Sequence, residues 1–265
     1  MTTANAKATK TQEALVGGQF GARAAAYLGS AVHAQGADLQ ALAALVQGRK
    51  DARVLDLGCG GGHVSYHVAP HVHEVVAYDL SPEMLAVVAR AAAERGLGNI
   101  VTRQGVAEFL PFADASFDFV MSRFSAHHWR DFDAGLREAA RVLKPGGTAA
   151  FVDCISPGPP LLDTFFQAIE LLRDPSHVRD YSRAEWDAAI TRAGLVLGPA
   201  SQHRLRMHFP VWIERMQTPK VQSDAIRALQ AAMSETVTRY FDVGPDGSFD
   251  LDVAFMQAVK ALLQL

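Results

Sequence analysis

The sequence has few cysteines, and their arrangement excludes two classes of structure. Only Cys59 and Cys154 occur among 265 residues, a number and spacing that fit neither a disulfide framework nor a structural zinc site. The first twelve residues also lack the apolar core of a secretory signal. We therefore expect a reducing compartment and predict a cytoplasmic protein.

Long apolar runs and an excess of positive charge are missing as well. No apolar stretch approaches the roughly 20 residues that a bilayer-spanning helix needs, so we predict no membrane partner. The formal net charge is −3, so the chain has no broad positive field with which to hold a phosphate backbone. We therefore predict no nucleic-acid partner.

The chain instead contains a regular alternation of short apolar runs and amphipathic segments. Strands are predicted at residues 54–57, 75–79, 100–103, 117–122 and 148–154, with helical periodicity between most of them. Strands that alternate with helices form parallel sheets covered on both faces. The sequence therefore predicts an α/β fold with a doubly wound, Rossmann-like sheet.

Two helical insertions interrupt the second half of this pattern, at about residues 157–180 and 210–242. Further strands are predicted around them, at 195–209 and 249–255. Both insertions should leave the sheet at its carboxyl edge, where ligands bind in open α/β sheets. We expect them to roof an acceptor site with the apolar side chains of Phe165, Ile169, Trp212 and Met216. That lining favours a small, partly apolar acceptor.

The most specific local motif is a glycine loop that follows the first predicted strand. Asp56 precedes Gly58, Gly60 and Gly62, and Asp79 ends the next strand. Glycines allow a tight turn and a close approach of ligand to backbone, and an acid placed like Asp79 can bind ribose hydroxyls. A nicotinamide dinucleotide site is the alternative. Its fingerprint requires a third glycine at position 63, which is histidine here.

Four segments in order resemble class I S-adenosylmethionine-dependent methyltransferases. They are VLDLGCGGGHVS, VVAYDLSPEML, AEFLPFADASFDFVMSRFSAHHW and LREAARVLKPGG, between Val54 and Gly147. The resemblance is closest to the branch that includes the ubiquinone and menaquinone C-methyltransferases. It implies a seven-stranded sheet whose last strand is antiparallel, with S-adenosylmethionine as the cofactor and S-adenosylhomocysteine as the product.

The resemblance also implies roles for individual residues. Asp56, Gly58 and Gly60 would contact the methionine part of the cofactor, and Asp79 would bind the ribose hydroxyls. The adenine would lie beside Leu80, Met84, Val106 and Ala107. Ser122 and Arg123 would face the sulfonium end, and Tyr27 in a lid helix would lie near the cofactor carboxylate. Val106 stands where these enzymes usually have an acid beside the adenine amino group. That hydrogen bond must therefore come from the backbone or be absent.

Candidate catalytic residues cluster in the loop after the fourth strand. His127 or His128 could accept a proton from an acceptor near neutral pH. Alternatively, either imidazole caps or packs against the following helix. Arg123 could hold an anionic acceptor or form an ion pair with an acid such as Asp153. We predict no metal site, because adjacent histidines point in different directions and no acid-rich motif accompanies them.

These patterns together predict the domain organisation and the activity. Residues 1–37 should form an N-terminal tail and the lid helix, and residues 38–265 the methyltransferase domain with its two caps. The predicted activity is methyl transfer from S-adenosylmethionine to a small-molecule acceptor. The alternatives are an RNA or protein methyltransferase, or a cofactor-binding protein without methyl transfer.

Overall fold

The computed structural model describes residues 11–21 and 36–262. Its strands are Arg53–Leu57 (β1), Glu74–Asp79 (β2), Ile100–Gln104 (β3), Phe117–Arg123 (β4), Leu143–Ile155 (β5), Leu195–Met207 (β6) and Phe249–Lys260 (β7). They form one sheet in the order β3-β2-β1-β4-β5-β7-β6. β1 to β5 pair in parallel, and β7 lies antiparallel between β5 and β6. The predicted seven-stranded sheet with an antiparallel last strand is confirmed.

Helices cover both faces of this sheet. Their bounds are Gln12–Gly21 (α1), Ala37–Leu45 (α2), His63–Val68 (α3), Pro82–Glu94 (α4), Phe132–Val142 (α5), Pro160–Arg173 (α6), Arg183–Arg192 (α7), Phe209–Met216 (α8), Lys220–Ala232 (α9) and Glu235–Tyr240 (α10). Side chains of α5 and α7 pack on one face, whereas those of α2, α3, α6, α8, α9 and α10 pack on the other. Within the described residues, no helix combines the length and the hydropathy that crossing a membrane requires.

Both insertions leave the sheet where its parallel strands end. The first begins after β5 with α6, and the second joins the end of β6 to the start of β7 through α8, α9 and α10. Met207 pairs with Phe249 at that edge, so the second insertion starts and finishes at the same place.

Several predicted boundaries differ from the structure. The second insertion consists of three short helices. Pro219 lies between α8 and α9, and a proline there cannot continue the hydrogen bonding of α8. β5 begins at Leu143, which pairs with Phe117, five residues before the predicted start. An N-terminal helix, α1, precedes the predicted lid residue in the chain. Tyr27, the predicted lid contact, lies outside the described residues.

Candidate functional site

The glycine loop turns sharply between β1 and α3. The amides of Gly58 and Cys59 both donate to the carbonyl oxygen of Tyr78, at 2.8 and 3.0 Å, which ties the loop to the end of β2. Gly58 and Gly62 have φ angles of 72° and 80°, in the left-handed region that favours glycine. A Cβ added to Gly58 would lie 1.9 Å from Ser125 Oγ. The loop after β4 thus packs directly against the glycine loop.

Asp56 is a buried carboxylate with one oxygen used and one unused. Its Oδ2 accepts hydrogen bonds from the amide and the hydroxyl of Ser65, at 3.0 and 2.6 Å, and so anchors the start of α3. Its Oδ1 is buried and has no hydrogen-bond partner within the described part of the chain. Burial raises the pKa of Asp56 to about 7. A buried oxygen of this kind requires a donor or a cation from a ligand.

Asp79 ends β2 and organises the same loop from the other side. Its Oδ2 accepts from the Gly60 amide at 2.8 Å, and its Oδ1 accepts from the Ser81 amide at 2.9 Å. Burial raises the pKa of Asp79. Each carboxylate oxygen can accept more than one hydrogen bond, so Asp79 keeps capacity for two ligand hydroxyls while it holds the loop.

These residues line a cleft that encloses about 1100 Å³ of empty space, part of it open to solvent. Of the sequence-predicted cofactor residues, those that line it are Asp56, Gly58, Gly60, Asp79, Leu80, Met84, Val106 and Ala107. Ser122 does not line it. Its hydroxyl is buried and has no hydrogen-bond partner among the described residues. The sequence prediction did not include Gly105 and Trp129, which also border the cleft. Trp129 ends the third family segment, whereas Gly105 lies outside all four segments.

We call this space the cofactor cleft, after the predicted cofactor residues that line it. Helix α1 covers it. Gln12 Nε2 donates to the Ser176 carbonyl at 2.6 Å, and Glu13 pairs with Arg130 at 3.1 Å. Val16 and Phe20 contribute apolar surface to the cleft. A lid from the N-terminal segment was predicted with Tyr27, which lies outside the described residues; the described contacts come from α1.

A second cavity, of about 620 Å³ including space open to solvent, adjoins the cofactor cleft. Phe20, Phe124 and His128 line both spaces and form the wall between them. Phe124 has φ of 52°, a left-handed conformation that costs free energy for a residue with a side chain and is found often at functional sites. The backbone is thus held in an unusual conformation at the junction of the two cavities.

Both insertions supply the lining of this second cavity, but its character differs from the prediction. Trp212 and Met216 line it as expected. Phe165 and Ile169 are instead buried in the hydrophobic core, where Phe165 packs 5.1 Å from Phe241 between ring centroids. Acids line the wall as well: Glu170, Asp174 and Asp180. The sequence did not suggest such a concentration of buried charge.

His127 forms a charged pair at the inner end of this cavity. Its Nδ1 lies 2.5 Å from Asp153 Oδ1, and Asp153 also accepts from the amides of Ala126 and Cys154 at 2.9 Å. Burial alone would lower the pKa of His127, but the Asp153 carboxylate outweighs it and raises that pKa to about 9. His127 is therefore an imidazolium at neutral pH and has no free lone pair to accept a proton.

His128 has the opposite charge state. Burial and the neighbouring His127 charge lower the pKa of His128 to about 4, so the ring is neutral near pH 7. Its Nδ1 lies 3.2 Å from the Ser176 carbonyl, which can only accept, so this nitrogen carries the proton. Nε2 is then the acceptor nitrogen. Of the two predicted catalytic histidines, only His128 can accept a proton in this arrangement, and it borders both cavities.

Arg123 lies on the cofactor cleft and forms an ion pair. Its Nε donates to Asp38 Oδ2, and both side chains are almost completely buried. The ion-pair alternative therefore holds, with Asp38 from α2 in place of the suggested Asp153. Asp153 is engaged by His127 instead.

Comparisons with known proteins identify the family of this chain. The profile of the methyltransferase domain family matches residues 55–151. YafE of Escherichia coli, an uncharacterized protein, is 48% identical over 204 residues, which cover 77% of this chain and 99% of YafE. The uncharacterized methyltransferase YcgJ of Bacillus subtilis is 39% identical over 200 residues, 76% of this chain and 79% of YcgJ. The chain belongs to the class I S-adenosylmethionine-dependent methyltransferases.

Further comparisons place this methyltransferase within the family. The crystal structure of YcgJ superposes with a TM-score of 0.82, at 35% identity over 85% of this chain and 98% of YcgJ. The demethylmenaquinone methyltransferase of Chlorobaculum parvum is 37% identical over 123 residues, 46% of this chain and 48% of that enzyme. The predicted likeness to the menaquinone branch is confirmed over this part of the chain.

Proposed function

We propose that the enzyme transfers the methyl group of S-adenosylmethionine to a small-molecule acceptor bound in the second cavity. The observation that carries the proposal is the shared wall of Phe20, Phe124 and His128 between the two cavities. Because the two spaces share these lining residues, an acceptor in the second cavity would lie next to a ligand in the cofactor cleft. Small-molecule acceptors are named for some relatives, such as demethylmenaquinone.

The geometry of Asp56, a residue of the first family segment, fits the cofactor. Asp56 Oδ1 is buried at the cleft without a hydrogen-bond partner among the described residues, which suits the ammonium group of a methionine moiety. Asp79 would bind the ribose hydroxyls, and Leu80 and Met84 would pack on the adenine. S-Adenosylmethionine supplies a methyl group on a sulfonium. The protein's part is to hold the acceptor beside it and to exclude water.

Within the acceptor cavity, the two histidines would have different roles. The neutral His128 would accept a hydrogen bond or a proton from the acceptor, since its Nε2 carries no hydrogen. The charged His127 would instead donate a hydrogen bond and favour a developing negative charge on the acceptor. Arg123, which is paired with Asp38, would hold the helix α2 against the cleft and would not bind substrate.

The experiment separates cofactor binding from access to the acceptor cavity. Leu205 lines the second cavity, and Leu205→Trp should fill part of it. We expect this variant to bind S-adenosylhomocysteine with unchanged affinity by calorimetry and to lose methyl transfer. Val196→Trp, on the exposed part of the same strand β6, is the matched control and should retain both.

Transfer is measured with S-adenosylmethionine labelled in its methyl group. The acceptors offered are the low-molecular-mass fraction of a bacterial extract, bulk RNA and the protein fraction. We expect label in the small-molecule fraction only, lost in Leu205→Trp. Label in RNA or protein would replace the proposal with one of those substrate classes, and tight cofactor binding with no transfer to any fraction would indicate a binding protein.

A further inference from the structure

One imidazole and two carboxylates meet at the inner wall of the second cavity. His127 comes from the loop after β4, Asp153 from the end of β5 and Asp180 from the segment after α6. Each places a potential ligand atom within 4.8 Å of the other two. Donor atoms that share one metal ion at about 2.1 Å are at most about 4.2 Å apart. His127 and Asp180 are therefore close enough to share one ion after a small adjustment of their side chains.

Asp180 supplies the observation that points to a ligand. Its side chain is almost completely buried, and its Oδ2 has no hydrogen-bond partner within the described residues. The nearest basic atom is His177 Nε2 at 3.7 Å, which lies closer to Gln167 Oε1, at 3.0 Å. An isolated buried carboxylate oxygen is costly unless a cation or a donor meets it.

Charged side chains of both signs surround Asp180. Glu170 and Asp174 are also buried and line the same cavity. The guanidinium of Arg173 bonds to Glu170 at 3.3 Å and to the Trp212 carbonyl at 3.1 Å, and its charge also acts on Asp180. The three acids therefore share this wall with the basic side chains of His127, Arg173 and Arg215.

The orientation of His127 suits a metal ligand. Its Nδ1 hydrogen bonds to Asp153, so an ion would bind at Nε2, where it would displace the proton of the imidazolium and replace the hydrogen bond to the acceptor. Ligating histidines commonly have this arrangement, in which a carboxylate holds the second ring nitrogen. We propose that His127 Nε2 and Asp180 Oδ2 bind one divalent ion of the Zn²⁺ or Mn²⁺ class, with Asp153 orienting the imidazole. Mixed nitrogen and oxygen ligands favour such ions over Ca²⁺ or Mg²⁺.

The position of the ion also suggests a class of acceptor. An ion on the wall of the acceptor cavity would bind an acceptor oxygen and stabilise it as an anion, which makes it a better nucleophile. An acceptor with a hydroxyl or enol group is therefore expected. This consequence rests on the proposed methyl transfer, whereas the metal site itself does not.

The test uses the full, untagged chain after treatment with a chelator. Zn²⁺ is titrated by calorimetry, and Mn²⁺ by electron paramagnetic resonance. We expect the parent chain to bind one ion and to melt at a higher temperature with one equivalent of Zn²⁺. In Asp180→Asn and His127→Asn, the Zn²⁺ affinity should be at least about tenfold lower. Glu170→Gln is the matched control in the same cavity and should change the affinity by less than about threefold. Circular dichroism confirms that each variant is folded.

Three results would overturn the metal site. The first is the absence of saturable Zn²⁺ binding below millimolar concentrations. The second is equal weakening of Zn²⁺ binding by Glu170→Gln and Asp180→Asn, which would indicate diffuse attraction of cations. The third is binding of Ca²⁺ as tight as that of Zn²⁺. S-Adenosylhomocysteine affinity, measured in the same chelator-treated samples, reports on the cofactor cleft alone. Failure of the metal site is therefore distinguishable from failure of the proposed function.

Discussion

The His127–Asp153 pair gives the protein a pH-dependent stability that can be calculated in advance. The pKa of His127 is about 9 in the folded chain and 6.5 in its ordinary state. Because the fold binds this proton more tightly, the stabilisation is fully present below pH 6.5 and is lost as the pH rises through 9. At about 1.4 kcal/mol per pH unit, the difference amounts to roughly 3 kcal/mol of unfolding free energy.

His127→Asn isolates this contribution, because the asparagine amide can replace Nδ1 as a donor to Asp153 but does not titrate. Urea denaturation at about pH 6 and about pH 9.5, with chelator present, should show that the parent chain loses about 3 kcal/mol more than the variant between the two conditions. His203→Asn, an exposed position on β6, should leave the pH dependence unchanged. Equal losses in the parent chain and His127→Asn would refute the assignment of charge to this pair.

Three further substitutions test the cofactor cleft by calorimetry with S-adenosylhomocysteine. Asp79→Ala should weaken binding by about 1–3 kcal/mol, because ribose hydroxyls and the Gly60 amide lose a charged acceptor; unchanged affinity would remove Asp79 from the site. Val106→Asp should bind S-adenosylhomocysteine at least as tightly as the parent chain, since a carboxylate can accept a hydrogen bond from the adenine amino group. A clear loss of affinity would show that the loop around Val106 is arranged differently. Gly58→Ala should lower the melting temperature and abolish binding, because its Cβ would lie 1.9 Å from Ser125 Oγ at a positive φ; a stable variant with normal affinity would contradict the packing described.

The part of the fold that was predictable from sequence is the part specified by local patterns. The first five strands have short apolar runs with glycine or acidic ends, and the capping box of Ser182 and Glu185 forms as its spacing suggests. Errors arose where two local signals competed. The glycines at 146 and 147 resemble a helix stop, yet the chain around them joins β5, because Leu143 finds a partner in Phe117. Pairing across the sheet is a non-local effect that periodicity does not record.

The cofactor cleft was predictable for a similar reason, since one short loop and the end of the next strand carry most of it. Asp56 and Asp79 are separated by a single helix and meet through the glycine loop. The wall between the cavities was harder to predict. Phe20 reaches it from α1, and its ring packs 4.9 Å from that of His128 between centroids. No spacing in the sequence relates residues that are more than a hundred positions apart.

The acid cluster in the second cavity shows why acceptor choice is separable from cofactor binding. Asp153 is at the end of a sheet strand, but Glu170, Asp174 and Asp180 all belong to the first insertion and the segment that follows it. Each would appear in the sequence as an ordinary acid of a polar surface, and only folding buries them together opposite His127. Buried charge is costly unless it is matched, and His127, Arg173 and Arg215 lie on the same wall. Under the proposed function we therefore expect the insertions to select the acceptor by charge as well as by shape, while the glycine loop and Asp79 bind the same cofactor whatever the acceptor is.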